Sequence, residues 1–567
     1  MTGGPVIVTP ILAGSTISCL VSALPPTENP GKIVLASLRT LVAIANTARL
    51  ASPRMELFRQ QSEPEPTLLK ATVRVFAEVL SQRSHSVVVQ SQIVSLCHLI
   101  SQAFISEQYR VILVEGGILD LLAARLAAYY VHQGFWSSRA SSSIATALPP
   151  SPSRETLPHL LSAVGAVTQS SKYRVARLLY SPIASSIFPF HVPEVSVIAL
   201  STPVQQGTGK HASSIEFSLP EVPLGHAKSH NDFSKAFPAL SSVQPQAKHS
   251  ALMDFAESDL YALERNSSKT GQESSLISWL IYMIRTERGL CRVTAARLLT
   301  SIARAGFLSK NRDRMLALLV VPLLVSMMDE PAQHRSGSPG SESEARTIRE
   351  QAPAILAELI QEKPLLQKAA ADAGAIKKIC QMLKQTFDTI DIKPCPWSPN
   401  ISSPPPSGTA SSRKIGPRGL RGDVVHIMSC REGALRLLAA IADKEDKYRK
   451  ILMENGIVPC IIDSLVPFKE EILAELNGQV QSPRKYKFSP GTLGNSIPVI
   501  IAACSAARAL SRSVSLLRTS LIDAGVAKPV FALLKHSNVS VLVEATNVVC
   551  NLVTDFSPMR HVSALLE

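Results

Sequence analysis

The sequence is poor in aromatic residues and has no closely paired cysteines. Aromatic residues make up 5% of its 567 residues, and three are tryptophan. An average globular core uses more of them, so this scarcity, with abundant Leu, Ala, Ser and Val, favours one long helical array over several compact domains. The nine cysteines show no CxxC spacing. Cys19, Cys97, Cys380 and Cys550 fall in helical patterns, which predicts small buried hydrophobes in a reducing compartment.

Signatures of catalysis are also lacking. The sequence has no G-x-S-x-G elbow, no HExxH and no metal-ligand spacing among its histidines. The stretch Gly207-Thr208-Gly209-Lys210 is similar to a phosphate-binding loop, but His211 stands where magnesium would need a serine or threonine. Lone histidines such as His98 and His426 are typical of surface or hydrogen-bonded core positions. We therefore predict no catalytic activity, no metal and no cofactor.

The sequence has neither a long run of one charge nor a stretch that would span a membrane. Its net charge is +14, but basic residues gather only in short clusters, at 413–421 and 484–487, within linker-like segments. These clusters are either weak nuclear-targeting or phosphate-contacting patches or, more simply, solvated linker charge. The apolar beginning lacks a basic n-region, and Met315 to Met328 is too short to cross a bilayer. We predict a soluble, cytoplasmic and nuclear protein with no membrane partner and no nucleic acid partner.

The stretch from Leu521 to Leu552 contains a whole structural unit. Its sequence predicts the end of one helix, a turn at Ala524-Gly525-Val526, a short apolar helix over 527–534, and a longer helix over 541–552. Apolar residues recur in the longer helix at three- and four-residue spacing. Such a pair of helices cannot bury its apolar face alone, so it requires similar neighbours on either side.

Parts of this unit recur along the chain. An acidic residue, any residue, glycine and a small or branched apolar residue stand at 115–118, 372–375, 454–457 and 523–526. An arginine precedes three of these turns, at Arg110, Arg449 and Arg518, and Tyr173-Arg174 repeats a Tyr-Arg pair without the glycine. The long helices carry a small residue followed seven later by Leu or Ile, which lets the next helix approach closely. Such pairs are Ser37/Ile44, Ala295/Ile302, Ala352/Leu359, Ala434/Ile441 and Ala545/Leu552.

The pattern resembles the armadillo repeat, a three-helix unit of about forty residues. The predicted fold is all-α: a right-handed armadillo/HEAT-like superhelical solenoid, interrupted by disordered insertions rich in Ser and Pro. A further polar insertion is predicted at 336–343. The helical blocks are predicted at 1–135, 157–188, 271–392, 423–476 and 497–567. The linker and insertions between them are predicted at 136–156, 189–270, 393–422 and 477–496.

The exposed side of the long helices is the candidate binding groove. Positions two and six residues after the small residue lie opposite the packed face and stack on one stripe. In importin-type armadillo proteins, which this pattern resembles, those offsets hold Trp and Asn along a concave groove. No tryptophan stands at them here, and arginine is frequent, which favours an acidic segment or a terminal carboxylate as ligand. The alternative is that these arginines only solvate the helices and bridge neighbouring repeats. The candidate groove residues are Arg297, Arg436, Arg508, Arg512, Asn547 and Asn551.

The segment from Cys504 to Val553 resembles the armadillo repeat-containing protein 8 family more closely than a generic armadillo consensus. The motifs that carry this resemblance are Ser511-Arg512-Ser513-Val514, Leu517-Arg518-Thr519 and the run from Asp523 to Pro529. That family is the armadillo subunit of the GID/CTLH ubiquitin ligase. The insertions resemble those of filamentous-fungal proteins.

The resemblance implies a scaffold. It would dock on a LisH-CTLH core subunit and present a substrate receptor whose C-terminal segment lies in the groove, for degradation of substrates such as gluconeogenic enzymes. A catenin-like signalling scaffold or an importin-like carrier is the alternative. No capping repeat follows Leu566, so we expect a shortened isoform, a fragment or a truncated gene model.

Overall fold

The computed structural model describes residues 16–51, 66–104, 106–135, 148–191, 273–309, 312–329, 339–388, 390–391, 422–468, 487–488, 494–512 and 515–553. Helices make up most of this part of the chain. In the first half they are α1 Thr16–Ser22, α2 Gly31–Ala51, α3 Pro66–Ser81, α4 Val87–Ala103, α5 Glu107–Glu115, α6 Ile118–His132, α7 Leu157–Thr168, α8 Lys172–Tyr180, α9 Pro182–Ile187, α10 Ser275–Thr286 and α11 Gly289–Arg304. In the second half they are α12 Arg312–Leu319, α13 Val321–Ser326, α14 Pro339–Ile360, α15 Pro364–Asp372, α16 Ala375–Gln385, α17 Gly422–Ala442, α18 Asp446–Glu454, α19 Val458–Ser464, α20 Ile497–Ser511, α21 Ser515–Asp523, α22 Ala527–Leu533 and α23 Val539–Leu552.

The helices group into stacked units, each closed by a long third helix. Within the described part of the chain, five units have three helices each: α5-α6-α7, α12-α13-α14, α15-α16-α17, α18-α19-α20 and α21-α22-α23. The third helices α2, α4, α7, α11, α14, α17, α20 and α23 pack side by side in that order. We call them the third-helix row. The predicted all-α, armadillo-like stacking is confirmed.

The predicted turns and helix starts have clear local causes. The turn glycines Gly117, Gly374, Gly456 and Gly525 all have positive φ, between 64° and 90°, which a residue with a side chain rarely adopts. At the start of α23, the Asn538 side chain accepts hydrogen bonds from the backbone N–H groups of Ser540 and Val541. The helices α21, α22 and α23 thus occupy nearly the ranges predicted from the sequence.

Small residues on the third helices lie at the contacts between units. Ala295, Ala352, Ala434 and Ala545 are each 0% exposed. The Leu or Ile seven residues later is also buried in these four helices. Because both residues face the same neighbour, each helix can lie close against the next. In α2 the pattern is looser, since Ile44 is only partly buried.

The scarce aromatic residues gather where the second helices meet. Trp279 on α10 is fully buried, and its ring centroid lies 5.7 Å from that of Tyr130 and 5.8 Å from that of Phe188. Tyr130 also lies 4.6 Å from Phe188. This cluster joins α6, the end of α9 and α10. It therefore connects the helices on either side of the 192–272 segment.

Short strands border segments outside the described part of the chain. β1 (Phe190–His191) pairs antiparallel with β2 (Glu273–Ser274), and β3 (Ile390–Asp391) pairs antiparallel with β4 (Lys487–Phe488). Four segments outside the described part, 136–147, 330–338, 392–421 and 469–486, lie between the second and third helices of a unit.

Two expectations from the sequence are wrong. The polar insertion predicted at 336–343 is partly helical, because α14 begins at Pro339, and proline is well tolerated in the first turn of a helix. Cys19 and Cys550 are exposed rather than buried, whereas Cys97 and Cys380 are buried as expected. Within the part of the chain that the structure describes, no helix is long and apolar enough to cross a membrane.

Candidate functional site

The third-helix row presents the predicted groove residues on its exposed side. Arg436 and Arg512 are exposed, while Arg297, Arg508 and Asn547 are partly exposed. We call this side of the row the ladder face. It also carries the partly exposed residues Asn551, Ala354, Ser301 and Glu358, and the exposed residues Arg39 and Ala43, whereas Ala440 is buried.

Two arginines of the ladder face have carboxylate partners. Arg436 Nη2 lies 2.7 Å from Glu432 Oε1, one turn earlier on α17. Arg512, at the end of α20, forms an ion pair with Asp443, which follows α17. The second pair connects two successive third helices. The ladder face is therefore a mixed-charge surface, and not the uniformly basic stripe that arginine counting alone would give.

Polar contacts also cross between neighbouring helices of the row. His426 Nδ1 on α17 lies 2.7 Å from Glu350 Oε1 on α14. The Asn551 side-chain amide on α23 donates a hydrogen bond to the Arg508 carbonyl on α20, at 3.1 Å. These contacts fix the register of adjacent helices. They also mean that the Asn551 amide is already engaged within the protein.

At the other end of the row, two histidines lie face to face. The rings of His98 on α4 and His159 on α7 stack with their centroids 6.0 Å apart. Burial lowers the pKa of His159, because the charged imidazolium is poorly solvated there. Arg297 lies close to this end too, since its side chain is the nearest group to Gly165 on α7.

One group of potentially reactive side chains lies between two helices of the row, α14 and α17. Cys430, His426 and Glu350 lie together, with Cys430 Sγ 3.7 Å from His426 Nε2. Burial, however, raises the pKa of the Cys430 thiol to about 12, so it remains a thiol rather than a nucleophilic thiolate at neutral pH. No group of three or more potential metal ligands occurs among the residues that the structure describes.

A second set of arginines is buried beside helix ends. Arg449 on α18 donates from Nε to the Ala442 carbonyl and from Nη2 to the Asp443 carbonyl, both at 2.7 Å. Arg110 on α5 donates to the Phe104 carbonyl after α4 and to the Gln169 carbonyl after α7. A cation at this place satisfies carbonyls that lack helical partners and complements the negative end of the helix dipole.

The remaining first-helix arginines repeat this role. Arg174 donates to the Gln169 carbonyl and pairs with Glu107, and Arg518 donates to the Ser511 carbonyl. The hydrogen bond from Arg174 holds the pKa of Glu107 below its usual range. The sequence signal was the arginine before three of the turns and in the Tyr173-Arg174 pair, and the pattern alone could not assign these arginines a role. These side chains hold the ends of the third helices and so position the ladder face.

Arg431 on α17 is the most enclosed of the buried arginines that cap second helices. It is 0% exposed, donates to the Thr386 carbonyl and to Asn495 Oδ1, and lies 3.8 Å above the Phe387 ring. Burial lowers its pKa to about 10. Arg125 likewise caps the end of α3, where it donates to the Leu80 and Gln82 carbonyls.

The chain is homologous over about half its length to curated armadillo proteins. It is 27% identical over 289 residues to GID complex subunit 5 of Schizosaccharomyces pombe, covering 50% of this chain and 30% of that protein. It is 26% identical over 270 residues to Armadillo repeat-containing protein 8 of Danio rerio and 25% identical to the Mus musculus protein, covering 48% of this chain and 31% of each relative. The matched region thus spans about a third of each relative. No family model matches the chain.

Among solved structures, engineered and designed proteins align with the chain at low identity. An engineered protein aligns over 97% of this chain and 92% of its own, at 14% identity and a TM-score of 0.32. A designed armadillo repeat protein in complex with a (KR)4 peptide aligns over 51% of this chain and 84% of its own, at 13% identity and a TM-score of 0.30.

Proposed function

We propose that this protein is a non-catalytic scaffold subunit of a GID/CTLH-type E3 ubiquitin ligase. It would link a LisH-CTLH core subunit to a substrate receptor, for ubiquitin-dependent proteasomal degradation of targets such as gluconeogenic enzymes. Its place of action would be the cytoplasm and nucleus. The observation that carries this proposal is the homology to GID complex subunit 5 across half of the chain.

The geometry of the third-helix row supports the scaffold role. Successive third helices pack in one continuous row, so the ladder face offers a repeated set of side chains to an extended partner segment. Asn547 lies two residues after the packed residue Ala545. Its side-chain amide can both donate a hydrogen bond to a peptide backbone and accept one from it. Burial keeps the Cys430 thiol, beside His426 and Glu350, in its non-nucleophilic form.

The charges on the ladder face fit a receptor segment that ends in a carboxylate. Arginine binds carboxylates with two parallel hydrogen bonds. An incoming carboxylate would compete with Glu432 for Arg436 and with Asp443 for Arg512. Exchange of one carboxylate for another leaves no arginine unpaired. This makes the ladder face selective for partners that can replace its internal ion pairs.

The ladder composition argues against an importin-like carrier. A basic localisation signal needs acceptors and aromatic walls, whereas arginine holds five of the twelve ladder positions and asparagine two. A catenin-like scaffold would share this fold, so the partners must separate the two possibilities.

Native purification of the tagged chain from cells that express it tests the proposal. We expect a LisH-CTLH protein and RING subunits to co-purify at a constant ratio through a second, size-based step, as identified by mass spectrometry. Purification with adhesion or transport factors and without any LisH-CTLH protein would overturn the ligase assignment. The armadillo-like fold would be unaffected by that result.

A further inference from the structure

A basic cleft lies away from the ladder-face arginines, between the loop that joins α3 to α4, the end of α6 and the segment before α7. Its volume is about 690 Å³. The lining residues are Arg83, His85, Gln90, His132, Leu148, Pro149, Pro150, Ser151, Pro152 and Ser153. We call it the 83–153 cleft. Its three basic side chains, Arg83, His85 and His132, are all exposed, and none of the residues that line it carries a carboxylate.

Hydrogen bonds from a buried arginine fix the start of the loop that carries Arg83 and His85. The buried Arg125 guanidinium donates to the Leu80 carbonyl at 2.6 and 2.9 Å and to the Gln82 carbonyl at 2.9 Å. The Gln82 side-chain amide also donates to Gln92 Oε1 at 2.9 Å. The loop is therefore fixed before any ligand arrives, and Arg125 adds a further positive charge beneath the cleft.

The opposite wall is also fixed, and it is apolar. Pro152 is buried, and the Ser153 hydroxyl lies 2.8 Å from Thr156 Oγ1 just before α7. Leu148 packs against the core. On the floor, Gln90 Oε1 is buried and has no hydrogen-bond partner within the described part of the chain. The cleft thus combines a basic side, an apolar side and one unused hydrogen-bond acceptor.

We propose that the 83–153 cleft binds a phosphorylated serine or threonine within an extended segment of a partner protein. A phosphate group carries about −1.5 to −2 charges and three acceptor oxygens at neutral pH, which match a guanidinium and two imidazoles. A backbone N–H of the same segment would donate to Gln90 Oε1, and its flanking residues would lie on the Leu148 and proline wall. The site takes the phosphate as a ligand, without bond making or breaking.

Protein rather than nucleic acid is the occupant favoured by the lining. Single-stranded nucleic acids are held by aromatic side chains that stack on bases. None of the ten residues of the cleft is phenylalanine, tyrosine or tryptophan. The cleft also holds a single arginine and two histidines, too few for a backbone of successive phosphates. This inference does not depend on the ligase assignment, because it uses none of the ladder-face arginines.

The test is a binding titration of the full chain with a fluorescein-labelled peptide of alanines around one phosphoserine. The probe is compared with the same peptide carrying serine, by fluorescence anisotropy. We expect binding of the phosphopeptide at least about tenfold tighter than that of the serine peptide. Arg83→Gln should weaken phosphopeptide binding by about tenfold, and His132→Gln by a smaller factor.

The matched control is Arg154→Gln, which removes the same charge at the residue directly after Ser153, outside the cleft lining. Arg154 is exposed and pairs with Glu287 at 2.7 Å. The proposal predicts phosphopeptide binding within about twofold of the unmodified chain. Equal weakening by Arg83→Gln and Arg154→Gln would mean nonspecific charge attraction and would overturn the site. Equal binding of both peptides, or no binding of the phosphopeptide at millimolar concentration, would overturn it as well.

Discussion

Arginine occupies two different regions of this molecule and serves a different purpose in each. On α17, Arg431 is 0% exposed and is enclosed by Thr386, Phe387 and Asn495, whereas Arg436 is exposed and pairs with Glu432. The first closes the end of a second helix inside the array, and the second lies on the ladder face. Five residues of separation on a helix are enough to change which side a residue faces.

This difference changes the meaning of the net charge. Formal charge counts every arginine as if it were available to a partner. Several of them, including Arg110, Arg174 and Arg449, are instead used within the fold to hold helix ends. On the ladder face, Arg436 and Arg512 are partly neutralised by carboxylates. The charge available for binding is therefore smaller and more local than +14 implies.

The largest change in stability is expected when the two arginines of α17, Arg431 and Arg436, are each replaced by alanine. Arg431→Ala should lower the free energy of unfolding by about 3–5 kcal/mol, because it leaves the Thr386 carbonyl and Asn495 without their buried donor. Arg436→Ala should change it by about 0.5 kcal/mol or less, since exposed ion pairs contribute little. Thermal unfolding followed by circular dichroism measures both variants. Similar midpoints for the two would contradict the division into fold and surface arginines.

Two glycines of the third-helix row test how close the helices lie. A Cβ added at Gly433 would lie 2.8 Å from Pro353 Cγ of α14, whereas one at Gly165 would meet nothing closer than 3.9 Å. Alanine favours a helix over glycine by about 1 kcal/mol, but overpacking costs about 1–3 kcal/mol. We expect Gly433→Ala to be destabilising by roughly 1 kcal/mol and Gly165→Ala to be stabilising by up to about 1 kcal/mol.

The two glycine substitutions are distinguished by whether each one raises or lowers the free energy of unfolding. Both substitutions add one methyl group to a third helix, so propensity alone predicts the same gain for both. Chemical denaturation of the two variants beside the unmodified chain measures the difference. A stabilising Gly433→Ala would mean that α14 and α17 lie further apart than the structure places them.

The smallest effect is expected from pH at the His98–His159 pair. Burial lowers the pKa of His159, so the unfolded chain takes up a proton more readily than the folded chain as the pH falls below about 6.5. The contribution of this site to stability is therefore full above that pH and is lost as the pH falls. The thermal midpoint of His159→Gln should depend less on pH between 7.5 and 5.5, and His85→Gln, at an exposed position, serves as the control. An unchanged pH dependence in His159→Gln would contradict the assignment.

The helical units could be predicted from sequence periodicity because the residues that specify each turn and each packed face lie within the unit itself. Gly525 needs positive φ for the turn before α22, and the small residue Ala545 marks the packed face of α23. Both signals lie within a few residues of the structure they specify. The six candidate ladder residues could be placed on one face for the same reason, since they follow from helical spacing relative to the small residues.

Features that depend on the stacking of units could not be predicted. The pairing of Arg512 with Asp443 joins the ends of successive third helices, and the pairing of Phe190 with Ser274 joins two-residue strands on either side of 192–272. Neither has a local sequence signal, because each depends on how distant elements meet. The exposure of Cys550 has the same origin, since a helical pattern alone does not say which face has a neighbour.

The most direct test of the scaffold proposal is a native pull-down with a charge-reversed ladder face. Arg436→Glu, Arg508→Glu and Arg512→Glu are combined in one variant. Its control combines Lys368→Glu, Lys447→Glu and Lys528→Glu, which make the same charge change at exposed lysines on α15, α18 and α22. Quantitative mass spectrometry compares both with the unmodified chain, after circular dichroism has established equal helical content.

We expect all three proteins to recover LisH-CTLH core subunits. The receptor-like protein should be recovered with the unmodified chain and the lysine control, and lost with the ladder variant, because glutamate at these positions repels a carboxylate. Equal recovery of the receptor by the ladder variant and the control would contradict a role for the ladder face in receptor binding. Absence of every ligase subunit from all three samples would contradict the scaffold proposal itself.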